Sequence, residues 1–399
     1  TTTQTINRRV EASNEIEQGV AAVNDALERI SELNDEISRA KALDRPTTDL
    51  EDERDRQLET LSEWMDISTF SRENGAIAVM GKMADGSTKM LVDSRAVKFD
   101  FEKDNALGPT ASDPNLPNLA SAGPSPDSSE QLGAATAGKL GALIDVRDNT
   151  LTAFHRDIDR LAQTVRDRVN AAHNQGTYQN AGQAVMTGAA DVTGDAFSTG
   201  ASGTITVNYT NTDNEVIGSA DVPISGNSVG DIQTALSVAL DTSITADGQL
   251  ELSLPAAGLP AGTTGFTIDT GDAAIPSDTL GETRSFSHYF GLNNLFETPD
   301  TPLVSANGAA DIAGTAGDIQ LRSDIKEDPR RLSTGVAVAY PSPPPSADPD
   351  AVSVGDGRVA EAMADAFSDR GTVAKSGGNL QDVDTTMSGY AADILSFQA

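Results

Sequence analysis

The sequence predicts a multidomain α+β protein: a rod domain of long helices that carries a small β element, plus an inserted β-rich domain. Two observations predict this class. Apolar residues recur at helical spacing through residues 6–37 and 140–173, whereas period-two runs rich in Gly, Thr, Ser and Val begin near residue 183. We therefore expect domains at residues 1–182, 183–284 and 285–399, the last returning to the rod domain.

The composition excludes several classes of function. The 399 residues carry a net charge of −32, which repels the phosphates of nucleic acids and anionic lipid headgroups. Cysteine is absent, so the chain has neither a disulfide nor a thiol nucleophile. No apolar run approaches the roughly 18 residues of a membrane span. We expect neither nucleic-acid binding nor membrane insertion.

The first predicted helix has a heptad pattern over residues 6–37. The heptad positions are Ile16, Val20, Val23, Leu27, Ile30, Asn34 and Ile37. One polar member in such a row either lies at the edge of the helix or sets the register of a helical bundle. We favour the edge for Asn34.

A second helix follows a proline break. Thr48 and Glu51 have the spacing of a capping box, which marks its first turn. Arg54, Asp55 and Arg56 lie together on this helix and could be read as an acid and base cluster. A solvated charged face is the commoner arrangement, and we adopt it.

A small antiparallel β element is predicted at residues 67–101. Apolar residues there follow period two, and Asn-Gly and Asp-Gly pairs at residues 74–75 and 85–86 are typical of hairpin turns. The Pro-, Ser- and Gly-rich residues 104–130 predict an exposed loop.

The longest predicted helix runs from Leu140 to His173, about 50 Å at 1.5 Å per residue. Its apolar stripe consists of Leu140, Ile144, Leu151, Phe154, Ile158, Leu161 and Val165. We expect this stripe to pack against the first helix, with Gly176 as the C-cap. Arg147 falls on the stripe, so it needs a carboxylate partner, for which we propose Asp52 or Asp55.

Further elements are expected beyond residue 182. The predicted strands are residues 204–209, 215–224, 249–254, 265–269 and 318–322, and the predicted helices are residues 231–240, 358–367 and 390–397. A proline-rich linker is expected at residues 341–349.

One stretch has the spacing of a phosphate-binding P-loop. Gly133 to Lys139 reads G-x-x-x-x-G-K, but Leu140 stands where Ser or Thr should hold magnesium. The preceding polar residues also cannot form the buried strand that presents such a loop. We interpret the stretch as a glycine-rich start of the long helix.

A second stretch has the G-x-S-x-G pattern of a hydrolase nucleophile, centred on Ser228. Asp269 or Asp272 and then His288 could complete a triad in chain order. Against this, Ser228 followed three residues later by Asp231 is a ready N-cap. We expect no enzymatic activity and no catalytic residue.

Metal and cofactor sites are not indicated either. The three histidines lack the spacing of a zinc site, and the acidic stretch near residue 215 lacks that of an EF-hand. The residues concerned are His155, His173 and His288, with Asp213, Glu215 and Asp221.

Several stretches together resemble the bacterial flagellar hook-associated protein 1 family, the hook–filament junction protein. They are the acidic helix DLEDERDRQLETLS, the segment GKLGALIDVRDNTL with its Arg-Asp pair, and the N-x-x-H-x-x-G ending at Asn170, His173 and Gly176. HYFGLNNLF and IQLRSDIKEDPRRLSTG resemble later parts. In the family's acidic run before the last helix, only Gly378, Asn379 and Leu380 have counterparts. This leaves hook-associated protein 3 and flagellin as alternatives.

The resemblance implies a structural component of the bacterial flagellum, an adaptor that joins hook to filament. It implies export by the flagellar type III system with an export chaperone, and an extracellular location. The implied partners are further copies in a ring, the hook protein and hook-associated protein 3. A secreted ligand-binding surface protein is the rival from another class.

The family's long terminal helices drive assembly, and they are expected to lie outside this fragment. The candidate assembly-proximal residues at the helix ends are Ile6, Val10, Ile394, Leu395 and Phe397. Without those terminal helices, we expect the fragment to be monomeric.

Overall fold

The computed structural model describes residues 2–82, 86–101, 120–122, 138–177, 182–193, 196–277, 282–299, 314–341, 344–375 and 378–396. Two units are compact in themselves, Thr1–His155 and Arg156–Ala399. Long N-terminal helices and a β-rich region of small sheets confirm the predicted multidomain α+β class.

The helices are α1 (Thr2–Ala42), α2 (Thr48–Trp64), α3 (Lys139–Asp145), α4 (Leu151–His173), α5 (Val229–Leu236), α6 (Phe286–Phe290), α7 (Thr315–Asp318), α8 (Ser323–Glu327), α9 (Arg358–Ser368) and α10 (Met387–Ser396). A π-helical turn, Val146–Thr150, joins α3 to α4, and a 3-10 turn follows α8 at Pro329–Arg331.

The strands are β1 (Ile67–Ser71), β2 (Ile77–Lys82), β3 (Thr88–Val92), β4 (Lys98–Asp100), β5 (Ala120–Ala122), β6 (Val185–Asp191), β7 (Ala196–Ala201), β8 (Thr204–Thr210), β9 (Val216–Pro223), β10 (Gly226–Ser228), β11 (Asp241–Ile244), β12 (Gln249–Ser253), β13 (Gly265–Asp269), β14 (Ala274–Ser277), β15 (Glu282–Ser285), β16 (Phe296–Glu297), β17 (Gln320–Leu321), β18 (Gly371–Val373) and β19 (Val383–Thr385). The three-stranded antiparallel sheets have the orders β1-β2-β3, β11-β12-β6 and β13-β8-β9.

The N-terminal unit is built on the apolar side of α1. Five of its heptad residues pack in one core with apolar residues of α2, β2, β3 and α3. The buried members from the helices are Ile16, Val20, Val23, Ala26, Leu27, Ile30, Leu61, Leu140 and Ile144. Gly19 permits the close approach, since a Cβ atom there would lie 2.6 Å from the Trp64 ring. The predicted packing of the stripe against the first helix is therefore present for Leu140 and Ile144. Further along the stripe it is wrong for Val165, which packs with Val169, Leu295 and Ile325.

Two asparagines of α1 bind the backbone of strands. Asn34 is buried, donates to the carbonyl oxygen of Ile77 at 2.8 Å and accepts from the Ile77 N–H at 3.0 Å. Asn24 makes the same pair of bonds to Phe99, both at 2.8 Å. The interpretation of Asn34 as an edge residue is wrong. It holds a strand in place, because a carboxamide matches the donor and acceptor of one backbone residue.

The predicted long helix is helical throughout but not uniform. Its first part is α3, its last part is α4, and the π-helical turn between them contains one residue more per turn than an α-helix. The capping box predicted at Thr48 does not form. Thr47 is the N-cap of α2, and its hydroxyl donates to Glu51 at 3.0 Å.

The β-rich part has its own core. Every strand predicted between residues 204 and 269 and the helix predicted at 231–240 are present as β8, β9, β12, β13 and α5. This core also includes Phe286, Tyr289 and Phe290 of α6, which the boundary predicted at residue 284 assigns to the helical part. The division into three domains stays a prediction.

Of the elements predicted near the C-terminus, the two helices are present, whereas the strand and the linker differ from the prediction. The strand predicted at 318–322 is the end of α7 followed by the two-residue β17, while the helices predicted at 358–367 and 390–397 are α9 and α10. The segment predicted as a proline-rich linker is bound to β9, because Val216 N–H donates to the carbonyl oxygen of Pro349 at 2.8 Å. The loop predicted at 104–130 lies outside the described residues except for β5, which pairs with β4.

Candidate functional site

The polar end of α4 forms a buried cluster that we call the polar lock: Asn170, His173, Asn174, Asn293 and Ser333. Asn170, His173 and Asn174 are three and four residues apart, which places them on one face of the helix. All five side chains are buried. Polar groups taken out of water in this way must find partners within the protein.

His173 joins two distant segments through its ring. Its Nδ1 donates to the carbonyl oxygen of Asn293 at 2.6 Å, and its Nε2 accepts the N–H of Ser333 at 3.0 Å. This arrangement requires the neutral ring, with the proton on Nδ1. Burial lowers the pKa of His173 to about 4, which keeps the ring neutral at physiological pH.

The asparagines complete the polar lock. The Asn170 carboxamide accepts the N–H groups of Leu295 and Phe296, both at 2.9 Å, and donates to the carbonyl oxygen of Phe296 at 2.9 Å. The Asn293 carboxamide donates to the carbonyl oxygens of His173 at 3.2 Å and Gly176 at 3.0 Å. Two chain segments are thereby held at the end of α4.

Gly176 serves this cluster by its small size. A Cβ atom there would lie 2.7 Å from Val359 Cγ2 and 2.9 Å from the carbonyl oxygen of Gly335, so no larger residue fits. Gly176 is absent from the residues with positive φ, so the left-handed C-cap predicted from sequence is wrong. The glycine is needed for space.

Two buried carboxylates of α4 hold further backbone. Asp159 accepts the N–H groups of Gly314 and Ala316, both at 2.9 Å. Asp157 accepts the N–H of Asn379 at 2.9 Å. Asn379 is one of the three residues that have counterparts in the family's acidic run. Hydrogen bonds from backbone N–H groups favour the charged form of a carboxylate.

Arg147 is buried at 1% exposure and paired, as its place on the apolar stripe requires. Its partner is Asp148, with Nε to Oδ1 at 2.5 Å and Nη2 to Oδ2 at 2.8 Å. The partner predicted from sequence, Asp52 or Asp55, is wrong. The π-helical turn contains both Arg147 and Asp148, so the pair forms between neighbours. Arg9 Nε also donates to the carbonyl oxygen of Arg147 at 3.2 Å.

Arg54 is a further buried arginine, on the acidic helix motif. Its Nη1 donates to the carbonyl oxygen of Gly75 at 2.8 Å, in the hairpin turn between β1 and β2. It also reaches Asn34 Oδ1 at 3.3 Å. The sequence interpretation as a solvated charged face is therefore wrong for Arg54, although Arg56 is exposed and pairs with Glu53.

Ser228 acts as the N-cap of α5. Its Oγ accepts the N–H of Asp231 at 3.2 Å and donates its proton to Asp231 Oδ2 at 2.9 Å. The hydroxyl proton is thus directed at the capping carboxylate rather than at a histidine. His288 lies elsewhere in the unit, on α6, and the structure shows no contact between Ser228 and His288 among the described residues.

The remaining sequence motifs form no phosphate or metal site in the described part of the chain. Of the P-loop-like stretch, only Gly138 and Lys139 are described; the rest lies outside the described residues. Over the described ranges, no group of three His, Asp or Glu side chains is arranged to hold a metal ion. No described helix is both long enough and apolar enough to cross a membrane.

The candidate assembly-proximal residues differ in exposure. Val10 is 37% exposed and Leu395 is 62% exposed, whereas Ile394 is buried within its own unit and Ile6 is half-buried. Phe397 lies outside the described residues. Their role in assembly stays a prediction.

Arg54 and the polar residues at the end of α4 therefore share one physical role, which is to bind the backbone of other segments, whereas Arg147 pairs with its neighbour Asp148. The fold and these clusters define a structural α+β protein whose motif residues maintain its architecture. Residues 1–186 match the family described as the flagellar hook-associated protein FlgK helical domain. Residues 1–186 are therefore similar to a FlgK-type helical domain, and the chain is FlgK-like in this part. The predicted resemblance is confirmed. This family is structural and is not a family of enzymes.

Among solved structures, the chain is similar to the flagellar hook junction protein FlgK from Burkholderia pseudomallei, with 18% sequence identity and a TM-score of 0.37. The similarity covers 69% of this chain and 53% of that one, so the chain spans about half the length of this relative. No curated protein matches the chain.

Proposed function

We propose that this protein is the adaptor that joins the hook to the filament of the bacterial flagellum. It lies outside the cell after export by the flagellar type III system, bound by an export chaperone before export. It works as a ring of identical subunits that contacts the hook protein on one side and hook-associated protein 3 on the other.

The observation that carries this proposal is the FlgK-type helical domain over residues 1–186. Its α1 is 41 residues long and buries its heptad residues against α2, the small sheet and α3. A helix of this length extends well beyond one packing layer, since 41 residues rise about 60 Å. Long helices held by fixed internal contacts suit a subunit that transmits torque.

The contacts to neighbouring subunits are proposed at the ends of α1 and α10. Val10 and Leu395 expose apolar side chains there. Exposed apolar side chains near a helix end gain stability when a second helix covers them. Ile6 is half-buried in the first unit, and Ile394 is buried in the second.

Immunogold electron microscopy tests the adaptor role. An epitope tag inserted between Ala257 and Gly258 lies on an exposed turn where Gly258 has open space around it. A second tag after Gly355, which is equally open, serves as an independent control. Gold confined to the hook–filament joint in both cases is the expected result.

Other patterns of gold would contradict the proposal. Labelling along the whole filament would indicate a flagellin, and labelling over the cell body would indicate a secreted surface protein. Deletion of the gene should leave hooks without filaments and flagellin in the medium, because the two lattices then have no adaptor.

Sedimentation velocity tests the expected monomeric state of the 399-residue chain. We expect a single species of the monomer mass, unchanged by Leu395→Asp. A ring or dimer that Leu395→Asp dissociates would show that the described helix ends suffice for assembly.

A further inference from the structure

A cleft of about 180 Å³ lies beside α4 in the unit Arg156–Ala399. One wall is the face of α4 formed by Arg160, Thr164, Arg168 and Ala171, which follow the helical period. We call it the arginine cleft. Its volume exceeds the roughly 30 Å³ that one water molecule occupies in the liquid, so a group of several atoms fits.

The other walls come from distant segments of the same unit. Arg284 of β15 and His288 of α6 face Thr372 and Ala374, which lie in β18 and just after it. Burial lowers the pKa of His288 to about 4, so this ring is neutral at pH 7 and can donate a single N–H.

The guanidinium groups of the cleft are held by neutral acceptors. Arg160 donates to Gln163 Oε1 at 2.6 Å and to the carbonyl oxygen of Lys375 at 3.2 Å. Arg168 donates to the carbonyl oxygen of Asp369 at 3.2 Å. These contacts orient the guanidinium planes without adding negative charge.

One carboxylate, that of Asp167, lines the arginine cleft, and a second, that of Asp382, lies close enough to attract Arg160. Asp167 accepts from Arg166 Nε at 2.9 Å, and its Oδ2 forms an ion pair with Arg284 Nη2 at 3.9 Å. Asp382, which attracts Arg160, accepts the N–H of Lys375 at 2.7 Å. Among the described residues, the Nε atoms of Arg160 and Arg284 have no hydrogen-bond partner.

This arrangement is unusual in a chain with only 28 basic residues against 60 acidic ones. We propose that the arginine cleft binds a small multivalent oxyanion, of which inorganic phosphate is the simplest. Guanidinium forks recognise the paired oxygens of phosphate or carboxylate with two parallel hydrogen bonds. A bound oxyanion would add negative charge beside the arginines and link α4 to β15 and β18.

Isothermal titration calorimetry of the 399-residue chain with inorganic phosphate tests this proposal. We expect saturable binding of one phosphate per chain, and a higher thermal midpoint in phosphate than in chloride of equal ionic strength. Replacing Arg284→Gln should weaken binding about tenfold or more, since a charge-assisted hydrogen bond contributes about 1.5–3 kcal/mol.

Matched variants separate the cleft from general charge. Arg284→Lys keeps the charge but loses the fork, so its affinity should fall between those of the native chain and Arg284→Gln. Arg330→Gln removes an exposed arginine already paired with Asp328, and it should bind phosphate normally. Circular dichroism checks that each variant is folded.

Three outcomes would overturn the proposal. They are the absence of saturable binding, a thermal shift that chloride reproduces, and unchanged phosphate affinity in a folded Arg284→Gln variant. Binding of citrate but not of phosphate would also overturn it, because the site would then select carboxylates.

Discussion

The ring of His173 lies 2.6 Å from the carbonyl oxygen of Asn293, a residue 120 positions further along the chain. The opposite ring nitrogen accepts the N–H of Ser333. One neutral imidazole thus closes two long loops onto the end of α4. The N-x-x-H-x-x-G motif, which resembles a family signature, therefore connects distant segments of the chain through hydrogen bonds.

Replacing His173→Ala should destabilise the unit Arg156–Ala399 by about 3 kcal/mol. The substitution leaves the carbonyl oxygen of Asn293 and the N–H of Ser333 buried without a partner, at about 1–3 kcal/mol each. Urea unfolding followed by circular dichroism measures the loss. Gln175→Ala changes an exposed neighbour and should cost less than about 0.5 kcal/mol. Equal midpoints for the two variants would refute the role of the polar lock.

The stability of this unit should fall as the pH drops from about 6.5 to about 4. In the native state the pKa of His173 is lowered to about 4, whereas the unfolded residue titrates near 6.5. The unfolded state therefore binds a proton that the native state does not, and acid favours unfolding. The largest effect of His173 is about 3 kcal/mol, reached below pH 4.

Urea midpoints measured at several pH values between 4 and 7 check this dependence. His288, whose pKa is also lowered to about 4 by burial, adds to the slope. The double variant His173→Gln, His288→Gln should lose most of the pH dependence in this window. If the slope persists in the double variant, other groups cause it.

Replacing Arg147→Met should destabilise the unit Thr1–His155 by about 2–3 kcal/mol. The variant leaves Asp148 without its cation, and loss of one partner of a buried ion pair costs about 3–5 kcal/mol. We place the effect lower because Asp148 is 19% exposed. The single tryptophan, Trp64, lies in this unit, so its fluorescence reports unfolding there.

Arg56→Met is the control for Arg147→Met. Arg56 belongs to an exposed pair with Glu53, and its removal should change stability by less than about 1 kcal/mol. A similar small effect for Arg147→Met would show that the buried pair contributes nothing beyond an exposed one.

Replacing Ser228→Ala should cost about 1 kcal/mol of stability through the lost N-cap of α5. It should leave hydrolysis of an ester such as p-nitrophenyl acetate at the level of the native chain, because the Ser228 hydroxyl donates its hydrogen bond to Asp231 and not to a histidine. Ser225→Ala, at an exposed position just before β10, is the control for stability. Ester hydrolysis that disappears only in Ser228→Ala would restore the hydrolase interpretation.

Much of the fold was predictable because it depends on local periodicity. The heptads of α1, the strands β8, β9, β12 and β13, and the helix α9 all have clear apolar patterns. The strands β6 and β7 were missed because their alanine, glycine and threonine residues carry little pattern. The two-residue strands β16 and β17 exist only through their pairing with each other.

The polar clusters were predictable only in part. The Arg-Asp pair and the N-x-x-H-x-x-G ending were recognisable as motifs. The sequence did not reveal that Arg147 pairs with Asp148, or that His173 binds Asn293 and Ser333. Asp157 and Asp159 gave no signal, because a carboxylate that binds backbone N–H groups has no matching side chain elsewhere in the sequence. The arginine cleft was missed for a related reason, since Arg284 lies more than 110 residues from Arg168.

The sequence by itself determined the α+β class, the heptad seam of α1 and the resemblance to a flagellar hook-associated protein, all of which follow from patterns within short windows. Only the tertiary structure decided what the buried polar residues bind. Asn34, Arg54 and His173 take their partners from segments far away in the chain. A backbone group can be supplied by any residue, so no residue type in the sequence marks where it will come from.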